Sequence, residues 1–257
     1  MYIDVEAVKS IVKQAAALFS DRVAADHIYT KGVADFVTQV DFEVQRFMQQ
    51  SLRELYPDIQ FMGEEKSNEE IDKSGSVWIL DPVDGTTNLI RDYKCSAISL
   101  ALFENRKAVL GIVYDPYLDE MYEAQAGKGS YLNGKRITVS KVDSLEKSLV
   151  AIGTSPYNKE LAEINFSLFQ KVYVNCLDIR RSGSAAIDLA HVACGRVDCL
   201  LERNLKIWDY AAGNLLVREA GGVVWNYEGT DVGDENASDI LAGNAVIPEL
   251  IKTNILE

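Results

Sequence analysis

Trp78-Ile79-Leu80-Asp81-Pro82-Val83-Asp84-Gly85-Thr86-Thr87-Asn88 is an apolar strand that ends in two carboxylates three positions apart and runs straight into a Gly-Thr-Thr turn. Asp81 and Asp84 offer oxygen ligands of the kind Mg²⁺ prefers, and the Val83 carbonyl between them is a neutral third donor. Gly85-Thr86-Thr87 can open a helix, whose free N–H groups and positive dipole end suit a bound oxyanion. Metal ligands and an anion seat thus share one short turn. The same residue types also build ordinary polar turns and caps, so the stretch has to be weighed with the other acidic clusters.

Upstream, Gly63-Glu64-Glu65 follows the apolar pair Phe61-Met62 and is expected at a strand end. A carboxylate there could complete a metal shell with Asp81. Lys66, Glu69, Glu70 and Asp72 follow, however, as they would in a solvated acidic loop. Downstream, Asp209 in Trp208-Asp209-Tyr210-Ala211-Ala212-Gly213 is the expected N-cap of a helix that ends at Gly221-Gly222. Capping accounts for it, and an N-cap Asp can also bind metal. Glu202 closes the strand-like Val197 to Leu201, where it is either an exposed strand end or a carboxylate placed to grip a sugar hydroxyl.

Taken in order, these segments resemble the inositol monophosphatase family of Mg²⁺-dependent, lithium-sensitive phosphatases. The blocks are Ala34 to Asp41, Gly63-Glu64-Glu65, Trp78 to Asn88 and Trp208 to Gly222, and Arg180-Arg181-Ser182-Gly183-Ser184-Ala185-Ala186-Ile187-Asp188-Leu189 is similar to a segment of bacterial members. The resemblance implies that Glu64, Asp81 and the Val83 carbonyl bind one Mg²⁺, that Asp81, Asp84 and Asp209 bind a second, and that Glu64 touches a third. It implies that Asp41 and Thr86 orient the attacking water with Glu64, that the backbone of Gly85 and Thr86 receives phosphate, and that Ala185, Glu202 and Asp209 contact substrate. The loop Lys31-Gly32-Val33-Ala34 is one residue shorter than in some animal members, which leaves Lys31 without an assigned role.

The implied chemistry suits the residues. A phosphate monoester is a dianion, so two or three divalent ions would offset its repulsion of a nucleophile and acidify a water near neutral pH. Other routes lack their groups. The only histidines, His27 and His191, fall outside every block and are expected on the surface or on a helix face. Cys95, Cys176, Cys194 and Cys199 form no CxxC pair, and none is followed by an Arg six residues on, so they read as reduced, mostly buried hydrophobes. No Gly-x-x-x-x-Gly-Lys-Ser/Thr loop occurs.

With 257 residues, 47% hydrophobic and 25% charged, the chain can bury a full core. Its net charge of −13 argues against a general nucleic-acid or anionic-membrane surface. No apolar run is long enough to span a membrane and Asp4 and Glu6 spoil a secretory leader, so the cytoplasm is the expected location. Helices are expected from Val5 to Phe19, Phe42 to Leu55, Ala162 to Val172, up to Gly195, from Asp209, and after Pro248. Strands are expected over Ser96 to Phe103, Ala108 to Tyr114, Glu120 to Ala124 and Ser130 to Leu132 as an antiparallel meander, then over Ser148 to Ile152, Val172 to Asp178, up to Glu202, and Val223 to Tyr227.

The expected architecture is α/β (α+β), a layered αβαβα sandwich of the inositol monophosphatase and sugar phosphatase type. Residues 1–145 form a lobe carrying most metal ligands, and residues 146–257 a lobe carrying Asp209 and substrate contacts, the two tightly joined. The resemblance implies a homodimer. Inositol monophosphate is the expected substrate; fructose 1,6-bisphosphate, a 3′-phosphonucleotide or histidinol phosphate would suit the same metal blocks. A different class, a regulatory protein that contacts the transcription apparatus, is raised by bacterial relatives with a similar Arg-Arg-Ser-Gly-Ser-Ala-Ala segment; a salt-bridged surface also explains Arg180 and Arg181. Tyr157, Asn158 and Lys159 are candidates for selectivity at the pocket rim.

Overall fold

The strand Ser76–Asp84 is buried on both faces, with Trp78 and Leu80 in one apolar cluster and Val77 and Ile79 in another. A strand covered on both sides needs no polar alternation, which is why Val77 to Leu80 is wholly apolar. The computed structural model describes residues 2–256.

Helices α1 (Val5–Ala16) and α2 (Arg22–Ala25) come first, then a hairpin of β1 (Ile28–Gly32) and β2 (Asp35–Thr38), with β1 exposed, and then helix α3 (Gln39–Leu55). The chain continues through β3 (Gln60–Gly63), β4 (Ser76–Asp84), the short α4 (Thr86–Ile90), β5 (Ala97–Glu104), β6 (Lys107–Asp115), β7 (Glu120–Gln125), β8 (Gly129–Leu132) and β9 (Lys135–Ile137). A second run holds β10 (Leu149–Ile152), α5 (Ala162–Tyr173), β11 (Asp178–Arg180), α6 (Ala185–Ala193), β12 (Cys199–Lys206), α7 (Ile207–Glu219), β13 (Val223–Trp225), β14 (Ala237–Gly243) and α8 (Val246–Ile251).

Strands β3 to β9 form a seven-stranded sheet in sequence order, parallel at β3–β4 and antiparallel thereafter. The expected meander is present. A five-stranded sheet runs β11-β10-β12-β14-β13, parallel around β10 and antiparallel beyond β12. Three apolar clusters define the layers. Val8, Val12, Val44 and Met48 of α1 and α3 pack on Leu80, Leu100 and Ile112 of the large sheet. Its other face meets α6 and α7 through Ala101, Leu189 and Leu216, and the same cluster takes in Leu200 and Ala242 of the small sheet. Leu168, Phe169, Ile247 and Ile251 of α5 and α8 cover that sheet's outer side. The result is the expected αβαβα sandwich. Among the described residues no helix is long and apolar enough to cross a membrane.

Several boundaries differ from expectation. Helix α1 stops at Ala16, and Ala17–Ser20 tighten into a 3₁₀ turn. Helix α3 begins at Gln39 because Thr38 caps it: Thr38 Oγ1 accepts from Val40 N and the Asp41 carboxylate reaches back to Thr38 N. The strand expected over Val172 to Asp178 is instead the end of α5 and a turn, and the strand is Asp178–Arg180. Pro248 lies in the first turn of α8, where its missing N–H costs nothing. All four cysteines are free, but only Cys199 is fully buried.

Candidate functional site

Asp81 and Asp84 are three residues apart, a spacing that puts side chains of a regular strand on opposite faces. A β-bulge corrects this. Between Asp81 and Asp84 the register of β4 against β5 slips, so that Asp81 pairs with Ser99 and Asp84 with Ala97. Pro82, which has no N–H to give the ladder, sits in the bulge. Asp209 arrives from the first turn of α7. It is not the N-cap: it lies three positions inside, and Asp209 Oδ2 accepts from Lys206 N at 2.7 Å, a one-way cap at a helix start where Lys206 has no side-chain acceptor to return the bond.

Ligating oxygens of Asp81, Asp84 and Asp209 can be chosen that all lie within 4.8 Å of one another. All three side chains are buried. Burial raises the pKa of Asp81 and Asp209 well above the carboxylate range, with neighbouring carboxylates adding to it, and pushes Asp84 up to about 6. Each is pinned through one oxygen: Asp81 Oδ1 accepts from Val83 N at 2.9 Å, and Asp84 Oδ2 accepts from Ser184 Oγ and Ala186 N, both at 2.6 Å. Pinned, desolvated carboxylates of like charge fit a hard divalent cation, whose ligation would offset both burial and repulsion.

Glu64 lines the same cleft, of about 210 Å³, but stands outside that triad. Its Oε1 lies 3.0 Å from Lys31 Nζ, which also meets Glu65 Oε1 at 2.5 Å. The sequence leaves Lys31 unassigned; in the fold it is the partner of Glu64 at the acidic cleft, and although burial pulls its pKa down, the two glutamates raise it overall. Asp41 is fully buried, accepts from Thr38 through Oδ2 and from Thr86 Oγ1 through Oδ1 at 3.0 Å, and is pushed up to about 6 by burial. Thr86 Oγ1 also lies 3.1 Å from the Val83 carbonyl. Gly85 has φ +94°, and a Cβ there would crowd the Cys95 and Gly183 carbonyls, so the turn at the cleft requires glycine.

Beside the cleft is a smaller pocket of about 40 Å³ that shares Asp84 and Asp209 and adds Ala185 and Glu202. Glu202 does not close its strand, as expected from sequence, but sits midway along β12. A second bulge follows it: Glu202 pairs with Ile240 and Leu205 with Ser238, with Asn204 at φ +56°. Burial pushes Glu202 up to about 8. Gly153, which sequence reasoning missed, lies directly against this carboxylate; a Cβ there would overlap it. Gly153→Ala is therefore expected to displace Glu202 and to lower the unfolding midpoint by a few degrees, through overpacking of about 1–3 kcal/mol. An unchanged midpoint in thermal unfolding would show that the carboxylate yields freely to the added methyl.

Of the three rim candidates, Tyr157 lines both cavities, whereas Asn158 and Lys159 line neither. Arg180 and Arg181 part company: Arg180 is ion-paired with Asp178 at 2.5 Å, whereas Arg181 lines the cleft and reaches Thr154 Oγ1. His27 is exposed and His191 is half-buried on α6, both outside the cleft, and burial beside Arg196 lowers His191 to about 4.

The layered fold with an acidic cleft at its centre is that of metal-dependent phosphatases of the sugar phosphatase type. The sequence matches the inositol monophosphatase family over residues 1–257, and the chain belongs to that family. It is 38% identical over 229 residues to the Nus factor SuhB of Salmonella typhimurium, covering 88% of this chain and 84% of that one. It is 35% identical over 218 residues to the inositol-1-monophosphatase of Bacillus subtilis, covering 84% and 82%. The crystal structure of the extragenic suppressor protein suhB from Bartonella henselae superimposes with a TM-score of 0.91 at 33% identity, covering 98% of both chains.

Proposed function

We propose that the protein is a Mg²⁺-dependent phosphomonoesterase that hydrolyses inositol monophosphate or a similar small polyol phosphate. The observation that carries this reading is the buried triad of Asp81, Asp84 and Asp209, each held through one oxygen, with Asp84 and Asp209 also bordering the pocket that contains Glu202. Two to three Mg²⁺ ions would be held by Asp81, Asp84, Asp209, the Val83 carbonyl and Glu64, the last exchanging its Lys31 partner for metal. When bound, the ions supply charge neutralisation at phosphorus and a lowered pKa for the nucleophilic water.

The chain's own residues aim that water. The Thr86 hydroxyl proton is committed to Asp41 or the Val83 carbonyl, so its lone pairs are left to accept from the water and turn the water's own lone pair toward phosphorus. Asp41, fixed by Thr38, keeps Thr86 in that rotamer. The N–H groups of Gly85 and Thr86 receive phosphate oxygens at the start of α4. Ala185 and Glu202 hold the alcohol, with Asp209 on the side of the leaving oxygen. Residues 1–145 then act as the lobe with most ligands and residues 146–257 as the lobe with Asp209 and the substrate contacts; the apolar cluster uniting Ala101, Leu189 and Ala242 supports their working as one unit. A homodimer is the proposed assembly, supported by exposed Phe166, Tyr173, Val174 and Leu177.

A phosphate-release screen with Mg²⁺ tests the reading. Inositol monophosphate is expected to be preferred over fructose 1,6-bisphosphate, adenosine 3′,5′-bisphosphate and histidinol phosphate, with no release in EDTA. Absence of release from all four rejects it. A second reading, binding to the transcription apparatus, is favoured by the Nus factor name of relatives at up to 38% identity. Co-purification of RNA polymerase with Asp84→Asn and with Arg180→Ala separates the two, since Arg180 is exposed and Asp84 buried.

A further inference from the structure

One buried acid at the site has no part in the reading above. Asp188, in the first turn of α6, is 3% exposed and lines the same small pocket as Glu202, which is 8% exposed. Asp188 Oδ2 accepts from Ser182 Oγ at 2.7 Å, whereas Oδ1 has no hydrogen-bond partner among the described residues. The Glu202 carboxylate takes no hydrogen bond of normal geometry among the described residues, although the Ser155 backbone favours its charged form. The two line one pocket, and burial pushes Glu202 up to about 8, with Asp188 adding to it, and Asp188 up to about 7, with Asp84 adding to it.

Two desolvated carboxyl groups with unused acceptor capacity call for donors. The one nearby cation, Arg181, is exposed and directed to Thr154 Oγ1. A pocket of about 40 Å³ admits groups of hydroxyl or water size. It disfavours a second phosphate, because Asp188 and Glu202 make its wall acidic.

We propose that Asp188 is a specificity-determining residue that, together with Glu202, binds two neighbouring hydroxyls of the leaving alcohol, so that the site takes polyol monophosphates and excludes a second phosphate from this pocket. The inference rests on the phosphomonoesterase reading and names its substrate class. Donation from vicinal hydroxyls satisfies both carboxyl groups at once, whereas an alcohol lacking one leaves a buried acceptor unpaired, the situation in which discrimination is greatest.

Phosphate release by the Mg²⁺-loaded full chain is measured for inositol 1-phosphate, for its deoxy analogues lacking single ring hydroxyls, for phenyl phosphate and for fructose 1,6-bisphosphate, in wild type, Asp188→Asn and Ser182→Ala. In wild type, removal of either of two adjacent hydroxyls is expected to lower kcat/KM roughly tenfold, and the bisphosphate to be the poorer substrate. Asp188→Asn is expected to lower the ratio of inositol phosphate to phenyl phosphate efficiency by a similar factor, through KM, and to erase the effect of one deoxy substitution. Ser182→Ala, which removes only the Asp188 tether, should move that ratio less. If Asp188→Asn lowers both substrates equally, Asp188 merely supports the Ser182 turn and the proposal fails. A bisphosphate preference, or indifference to all ring hydroxyls in wild type, overturns it even should the variant not fold. Wild type that hydrolyses phenyl phosphate but ignores hydroxyls leaves the phosphomonoesterase reading standing; wild type inactive on every ester removes both.

Discussion

Asp84→Asn is expected to lower kcat/KM for phosphate release by about a thousandfold or more, a loss of roughly 4 kcal/mol in transition-state stabilisation. The substitution is informative because it keeps shape. The Asn side-chain oxygen can still accept from Ser184 Oγ and Ala186 N, the two bonds that hold Asp84 against the start of α6. What is lost is one negative charge in a cluster with Asp81 and Asp209. Without metal, that charge is a burden, since desolvation and neighbouring carboxylates such as Glu64 oppose its ionisation. The metal-free variant should therefore unfold at a temperature equal to or above that of metal-free wild type, while its response to Mg²⁺ shrinks. Thermal unfolding with EDTA and with Mg²⁺, beside kinetics, reads both effects. Full activity, or a metal response as large as that of wild type, would remove Asp84 from the site.

Much of this is legible in the sequence. The apolar Val77 to Leu80 run, the turn signals between β5, β6, β7 and β8, and the helical spacing in α1 are local, and local patterns survive folding. The ordered acidic blocks pointed to the cleft as well. What escaped was set by tertiary geometry. A spacing of three would place Asp81 and Asp84 on opposite sides of a strand, and only the bulge at Pro82 brings both into one cluster. Glu202 sits mid-strand because a second bulge re-aims β12, a feature signalled at most by Asn204, which tolerates its positive φ. Asp209 lay where a cap was expected and proved to be the third helical residue, a shift of the size that sequence patterns do not resolve. Lys31 and Gly153 carry no local signal at all, because each matters through a partner more than thirty positions away, Glu64 for one and Glu202 for the other. Thr38 and Asp41 did carry one, in the spacing of a capping box.

Metal-free protein is expected to be most stable in mild acid and to lose stability as pH rises toward 8, while Mg²⁺ flattens that fall. The acids concerned are shifted upward on folding: Asp41 and Asp84 to about 6, Asp188 to about 7 and Glu202 to about 8. Between the ordinary carboxylate range near 4 and these values, the folded state binds more protons than the unfolded chain. Stability must then decrease with rising pH across that window. A shift of the size at Asp84 corresponds to about 3 kcal/mol if it acted alone, and coupling among the acids spreads the loss over several pH units. Divalent metal competes with those protons for Asp81, Asp84 and Asp209, so its stabilising effect should grow with pH instead of staying constant. Unfolding midpoints measured at pH 5, 6, 7 and 8 in EDTA and in Mg²⁺ test this. The gap between the two series should widen steadily, and in Asp84→Asn the widening should be weaker. Parallel series, or metal-free protein that gains stability toward pH 8, would mean that the three carboxylates do not share a cation and that the cleft is held together in some other way.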